Sequence, residues 1–258
     1  MSYQTLQVSI ENDICTIALN RPEVMNALNS EMRAELTTAI TTCQNEARVI
    51  VMTGTGRAFC SGQDLGDATD LASLDLAAVL RDEYVPMLKA IYGCKVPTIA
   101  AVNGVAAGAG ANLALAADIV IASEAASFVQ AFTQIGLIPD AGGTYWLPRQ
   151  VGFARAMGAA LFGDKISAKL AADWGMIYEA VAADEFETHW QMRAAYLARG
   201  ATEAYRHTKA ALRGSFENGL EAQLAVEAEL QAKCGKTDDF AEGVHSFLEK
   251  RPAKFTGR

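Results

Sequence analysis

The sequence predicts an α/β fold that ends in a helical region, and three observations carry that prediction. Short β-type runs recur through the first two-thirds of the chain, at 48–54 (RVIVMTG), 97–104 (PTIAAVNG) and 118–123 (DIVIAS), and the first two end in glycine and lead through small-residue loops toward helices. From about residue 140 these runs give way to short helical stretches punctuated by glycine. Beyond Asp184 the chain reads as amphipathic helix, as in LEAQLAVEAELQAKCG and DDFAEGVHSFLEK.

The elements follow in order. LQVSI and ICTIAL alternate and flank END, the pattern of a β-hairpin. In 29–46 (NSEMRAELTTAITTCQNE), Met32, Leu36, Ile40 and Cys43 fall on one helical face, and Asn29 or Ser30 can cap the start. Strand, glycine turn and helix then recur as a unit, although no two copies form a sequence repeat. GTYWLPRQVG, ARAMGAALFG and AKLAADWG read as short helices, and 176–182 (MIYEAVA) as a last strand. Trp146, Trp174 and Trp190 are expected in the core or at an interface. No Pro/Ser-rich linker interrupts the chain, so an α/β core over 1–183 and a helical region over 184–258 are expected to form one cooperative unit.

Composition narrows the function. With 258 residues, 51% of them hydrophobic, the chain can bury one large core. A net charge of −8 without a Lys/Arg cluster argues against a nucleic-acid partner. The 5 cysteines are odd in number and lack a CxxC, which fits a reduced, cytoplasmic protein. His189, His207 and His245 are too scattered for a ligand set, so no metal is expected. The start, MSYQTLQVSIENDIC, lacks the pattern of a signal peptide. The apolar run 105–122 contains Asn112 and Asp118 and reads as buried core, not as a membrane span.

Three stretches can carry chemistry. GTGRAFCSGQDL (54–65) is glycine-rich, but it lacks the ending of a P-loop and Ser61 is not in a GxSxG elbow. What remains is a connector that exposes backbone N–H groups at a strand end. VNGVAAGAGANLALAAD (102–118) invites a dinucleotide reading, which fails because Leu113 stands where the third glycine is wanted. A helix start at Ala109 and Gly110 still offers free N–H groups, suited to an oxyanion. Two such donors aimed at one carbonyl oxygen would stabilise an enolate. In GLIPDAGGT (136–144), Asp140 is open to reading as a turn-former, a helix cap or an acid/base.

AFCSGQDL, VNGVAAGAGANLALAADIVIAS, FTQIGLIPDAGGTYWLPRQVG and the tail EGVHSFLEKRPAKF, in this order, resemble the crotonase (enoyl-CoA hydratase/isomerase) superfamily along essentially the whole chain. The resemblance implies a spiral of ββα units with a helical C-terminal trimerisation region, homotrimers or hexamers, and acyl-CoA thioester substrates, with CoA part of the substrate and no separate cofactor. It implies that the N–H groups of Gln63 and Ala109 form an oxyanion hole. It also implies that Gln63, Asp64, Leu65 and Gly66 lie against CoA and that Phe247 and Lys250 reach the CoA of a neighbouring subunit. Arg21 reads equally as a CoA-phosphate contact or as an exposed hairpin-end arginine.

The departures are informative. Hydratases of the superfamily use two glutamates, and the matching positions here are Asn112 and Phe132. Neither can move a proton in water addition. Asp140 stands where some isomerases of the superfamily carry a carboxylate, and one carboxylate suffices for an allylic shift. Ile138, Phe132 and Ala141 are expected to surround it and raise its pKa. The strings GVAAGAGA, GLIPDAGGT and WGMI look most like the branch that isomerises 1,2-epoxyphenylacetyl-CoA. Tyr145 is a further candidate for the pocket. An enoyl-CoA hydratase and a non-catalytic binding member of the fold, even one for RNA, are the competing expectations; the missing glutamates count against the first, the charge and the placed carboxylate against the second.

Overall fold

The computed structural model describes residues 3–66 and 75–258. Strands β1 (Leu6–Glu11) and β2 (Ile14–Leu19) form the expected antiparallel hairpin. Its two-residue turn places Asn12 and Asp13 at φ 51° and 64°, a region those side chains tolerate better than most. Helix α1 (Ser30–Cys43) starts where Asn29 Oδ1 accepts from Met32 N at 2.9 Å. Met32, Leu36, Ile40 and Cys43 are all buried, as their spacing predicts.

The strand β3 (Val49–Gly54) pairs in parallel with β2 and continues the sheet. A short strand β4 (Ala58–Cys60) follows it, then a helical arm made of α2 (Leu76–Val79), a wide π turn (Leu80–Tyr84) and α3 (Val85–Tyr92). The next turns of the chain repeat the plan: β5 (Thr98–Val102), β6 (Val105–Ala107) and α4 (Ala109–Leu115), then β7 (Ile119–Ser123), β8 (Ser127–Val129) and a 3-10 turn at Ala131–Ile135. Helices α5 (Gly143–Val151) and α6 (Phe153–Phe162), strand β9 (Ile166–Ser167), helix α7 (Ala168–Asp173) and strand β10 (Glu179–Val181) complete the core.

Two sheets result. The larger runs β1-β2-β3-β5-β7-β10 and is parallel from β2 onward; the smaller runs β4-β6-β8-β9. Each of β3, β5 and β7 thus hands the chain to a short strand of the second sheet, which is the ββα spiral. That is the spiral the resemblance implies, whereas the strand–turn–helix unit read from the residue pattern alone lacked the second strand. Three-residue strands in Gly- and Ala-rich segments show no period by which to recognise them. The larger sheet is covered on both faces, so β3 is buried from Val49 to Met52: Ile50 and Met52 face the main core, Val49 and Val51 the layer under helix α8 (Phe186–Ala198). Phe186, Trp190 and Ala194 of α8 fill that layer.

Helices α9 (Thr202–Gly214), α10 (Leu220–Cys234) and α11 (Asp238–Glu249) form the rest of the helical region. Asp118, at the foot of β7, holds α9 through Lys209 at 2.7 Å and Arg213 at 2.6 Å. The C-terminal tail folds back. Arg48 bonds Gly200 O, Thr202 Oγ1 and Phe255 O, and Asp239, buried on α11, accepts from the backbone N–H groups of Thr256 at 2.6 Å and Gly257 at 2.9 Å. Among the described residues no helix is long and apolar enough to cross a membrane.

The tail should therefore hang on Asp239. Asp239→Ala is expected to cost about 1–3 kcal/mol, the usual range for losing charged hydrogen bonds, and to speed amide exchange at 255–258. Unchanged exchange there would mean that the remaining contacts, from Arg48 to Phe255 O, from Lys254 N to Glu242 and from the residue-239 N–H to Arg258 O, retain the tail.

Candidate active site

The site begins with a close approach of two backbones. The loop after β4 lies directly against the start of α4. A β-carbon on Gly110 would sit 2.3 Å from Cys60 O, and one on Gly62 would sit 2.8 Å from Ala107 O and 3.4 Å from Ala109 N. Only residues without a side chain allow this contact. It brings Gln63 beside Ala109, the first residue of α4. The peptides flanking Gln63 are used, since Leu28 N donates to Gly62 O at 2.8 Å and Asp64 N to Leu28 O at 3.1 Å. Among the described residues no acceptor takes the N–H of Gln63 or of Ala109. Two neighbouring donors are thus left for a ligand, which suits an oxyanion.

Asp140 ends the segment that follows the 3-10 turn and enters α5. The turn is tight: Ala141 adopts φ 47° and Gly142 φ 82°, and Gly143 N donates to Asp140 O at 2.8 Å. The Asp140 side chain is half-buried, its Oδ1 is fully buried and no donor reaches that atom among the described residues. Burial raises its pKa from the usual carboxylate value to about 6. Phe132 and Ala141 are buried as expected, but Ile138 is 76% exposed and faces outward. Pro139 is the residue of that stretch that turns inward. The backbone reverses at this point, so neighbours in sequence do not share a face.

Asn112 lies on α4, is fully buried, and spends both ends of its amide. Its Nδ2 donates to the backbone oxygen of Asp140 at 2.8 Å, and its Oδ1 accepts from Gln130 Nε2 at 2.8 Å. It therefore braces the turn that carries Asp140, with its nitrogen and its oxygen each already bonded. Gln130, which the sequence did not single out, is buried with its Oε1 unpaired.

The other candidates are placed as follows. Asp64 is held by Arg21 at 2.7 Å and by Gly66 N at 2.9 Å; burial works to raise its pKa, but these bonds outweigh it and the net shift is downward. Arg21 is thereby committed to Asp64 and Ala27 O rather than exposed. Leu65 is exposed beside them. Tyr145 is not turned to Asp140. It meets Tyr92 and Trp146 edge-on, lies under the Arg149 guanidinium at 3.6 Å, and lines a separate cavity of about 460 Å³ with Arg213 and Phe216, beyond the C-terminal end of α4. Phe247, 82% exposed, and Lys250, the left-handed residue that ends α11, stand on the C-terminal helices. Phe247 lines a groove of about 1000 Å³ between α9, α10 and α11 that includes none of Gln63–Gly66. Of the three tryptophans, Trp190 is buried and the other two pack partly buried against the core.

The enoyl-CoA hydratase/isomerase family model matches residues 9–258. The chain is similar, at 60% identity over 100% of both chains, to a protein of Rhodobacter capsulatus named "Probable enoyl-CoA hydratase". It is 42% identical to the 1,2-epoxyphenylacetyl-CoA isomerase of Escherichia coli strain K12, over 96% of this chain and 97% of that one. The crystal structure of an enoyl-CoA hydratase from Bacillus anthracis superposes with a TM-score of 0.92 at 32% identity, covering 99% of this chain and 100% of that chain.

A carboxyl raised to about 6 has a cost that can be measured. Unfolded, it titrates near the ordinary value of ~3.9. Between those values the folded protein holds the extra proton, so this contribution favours folding below about pH 4 and is lost as pH rises through 6. Asp140→Asn should therefore melt higher than the parent at pH 8, and the gap should shrink toward pH 4. A gap that is flat with pH, followed by thermal unfolding, would mean that the carboxyl is not held in a disfavoured charged state.

Proposed function

The chain belongs to the enoyl-CoA hydratase/isomerase family, and on that premise we propose that it is an acyl-CoA isomerase that moves a proton beside the thioester with Asp140 as its single acid/base. The observation that carries this reading is the Asp140 carboxyl: half-buried, unpaired at Oδ1, and with a pKa near 6 in the range where one group can both take and return a proton. In this mechanism the thioester oxygen of a 3-enoyl-CoA sits between the N–H groups of Gln63 and Ala109. Asp140, as carboxylate, removes a proton from C2. The electron pair moves to the thioester oxygen, giving a dienolate that the two donors stabilise. The protonated Asp140 returns the proton to C4, the double bond comes to rest between C2 and C3, and the carboxylate is restored. The same proton transfer beside the thioester suits conversion of 1,2-epoxyphenylacetyl-CoA to the oxepin, the substrate class suggested by the similarity to the E. coli isomerase.

The hydratase reading has the name of the R. capsulatus relative in its favour. Against it stand Asn112 and Phe132 at the two positions where hydratases carry glutamate. Asn112 is an amide bonded to Gln130 and the Asp140 backbone and cannot carry the proton, and Phe132 is a buried ring. Water would find one carboxyl where the addition needs two groups.

We assign Asp64, Leu65 and Gly66 to the CoA side of the site, and Phe247 and Lys250 to the CoA of a neighbouring subunit in a homotrimer or hexamer. The apolar side chains of Phe240, Val244, Phe247 and Leu248 stand exposed on one helix, a surface that subunit contact would cover. Sedimentation at micromolar concentration should give a trimer or its multiple, and a monomer would remove the assignment.

Asp140→Asn should lower kcat for a 3-enoyl-CoA by about 10²–10⁴-fold while binding of a saturated acyl-CoA changes little. It should also stop exchange of the substrate's C2 and C4 protons with solvent deuterium. In the parent enzyme kcat/KM should rise with pH and level off above about 6, because the base form does the first step. Crotonyl-CoA hydration should be slower than isomerisation by orders of magnitude; hydration at a comparable rate would favour the hydratase. Side-by-side assays of a ring-epoxide phenylacetyl-CoA and a cis-3-enoyl-CoA decide the acyl group.

A further inference from the structure

An arginine sits in the core phase of α1. Arg33 is 2% exposed, in register with Leu36 and Ile40, and its guanidinium is almost fully engaged. Nη1 donates to Leu28 O at 2.6 Å and to Gln63 Oε1 at 2.8 Å. Nε and Nη2 grip Glu83 Oε2 at 3.0 and 2.7 Å, and Nη2 also reaches Ser30 Oγ at 3.2 Å. A buried charge with this many partners is expensive to assemble and is not explained by packing, since an apolar side chain would fill the place at lower cost. What it contacts is the segment that carries the first unused N–H. Leu28 O is also the acceptor for Asp64 N, so Arg33 bonds the carbonyl that braces the backbone just after Gln63 as well as the Gln63 side chain.

A second element converges on the same atom. The Tyr84 hydroxyl donates to Gln63 Oε1 at 2.6 Å, and the Arg33 guanidinium lies over the Tyr84 ring at 4.8 Å. Burial raises the Tyr84 pKa, which keeps the phenol a donor. Glu83 and Tyr84 are consecutive, and they close the π turn Leu80–Tyr84. A wider turn narrows the angle between successive side chains below the α-helical value, so neighbours can serve one target. The Gln63 side-chain oxygen is thus fixed from α1 by Arg33 and from the helical arm by Tyr84, while its Nε2 closes on Asp64 O at 3.1 Å.

We propose that Arg33 and Tyr84 are positioning residues that clamp the Gln63 side chain and so hold the Gln63 N–H in line with the developing oxyanion. Both act through the Gln63 side-chain oxygen. The inference rests on the assignment of the Gln63 N–H as an oxyanion donor. A donor held in place acts mainly where charge develops, so loosening it weakens the transition state more than the bound substrate.

The test uses Gln63→Met and Tyr84→Phe in the full chain. Methionine keeps the length of the side chain and the backbone N–H but removes the acceptor; phenylalanine removes only the hydroxyl. Arg33→Met belongs in the set, although it strands Glu83 and can fail to fold, and the two milder variants keep the proposal open to refutation without it. Removing an oxyanion donor outright costs about 10²–10³-fold in kcat, so a misaimed one should cost about 10–100-fold for Gln63→Met and less for Tyr84→Phe. KM and the Kd of a saturated acyl-CoA should stay within about twofold. Amide exchange at 61–66 should quicken in both variants. Parental kcat in both variants, or a loss that appears only in KM, overturns the proposal, as does unchanged exchange at 61–66. If the parent enzyme turns over no enoyl- or epoxide-CoA, the reaction assignment falls instead, and the exchange rates alone then decide whether the clamp exists.

Discussion

The contact between the Cys60–Gly62 backbone and the first turn of α4 is the constraint on which the site depends. A single β-carbon on Gly110 would put an atom 2.3 Å from Cys60 O, so the spacing of the two segments is set by the absence of side chains. That spacing decides whether two N–H groups from different turns of the spiral point at one place. The second sheet serves the same end: β4 and β6 pair in parallel, and each delivers its chain to the loop or helix start that bears a donor. Because the donors are main-chain groups, their aim depends on what holds the main chain, and the Leu28 bridge and the Gln63 tether supply that restraint.

The Asp140 turn shows the complementary design. Its carbonyl is tied down twice, by Gly143 N and by Asn112 Nδ2, while one oxygen of its carboxyl is buried with nothing to bond. Ordinary folding would pair such an atom or expose it. Leaving it buried and unpaired destabilises the charged form, and that is the condition for a carboxyl that exchanges protons near neutral pH. Asn112 belongs to this arrangement as a brace. An amide at that position cannot serve as the acid or base, but with Gln130 it links α4 to the turn through bonds between neutral groups, which bring no net charge to the carboxyl they position.

The C-terminal helices divide into two kinds. Helix α8 closes one face of the large sheet and is core in every sense. Helices α9 to α11 are tied down at few places, chiefly Asp118, Arg48 and Asp239, and otherwise leave apolar surface uncovered. A surface of this kind on a folded chain is suited to another subunit.

The order of the major strands and helices was legible in the residues, because periodic burial of long elements leaves a pattern: the stripe of α1 and the apolar runs of β3, β5 and β7. The residues also marked the helix start at Ala109 as a donor and left Asp140 open as turn-former, cap or acid/base; it was the resemblance of the ordered motifs that pointed to Gln63 and to the acid/base reading of Asp140. The rest depended on how distant segments meet in the fold. The short strands of the second sheet have no period to read. Tyr145 lies close to Asp140 in sequence but faces another cavity, because a helix starting just after the turn carries it around its axis. Arg33 stood in phase with the apolar face of α1, a legible anomaly, yet nothing in the sequence said that Gln63, Glu83 and Tyr84 would meet it. Those partners lie 30 to 51 residues away, and a contact across that separation is fixed by the path of the fold.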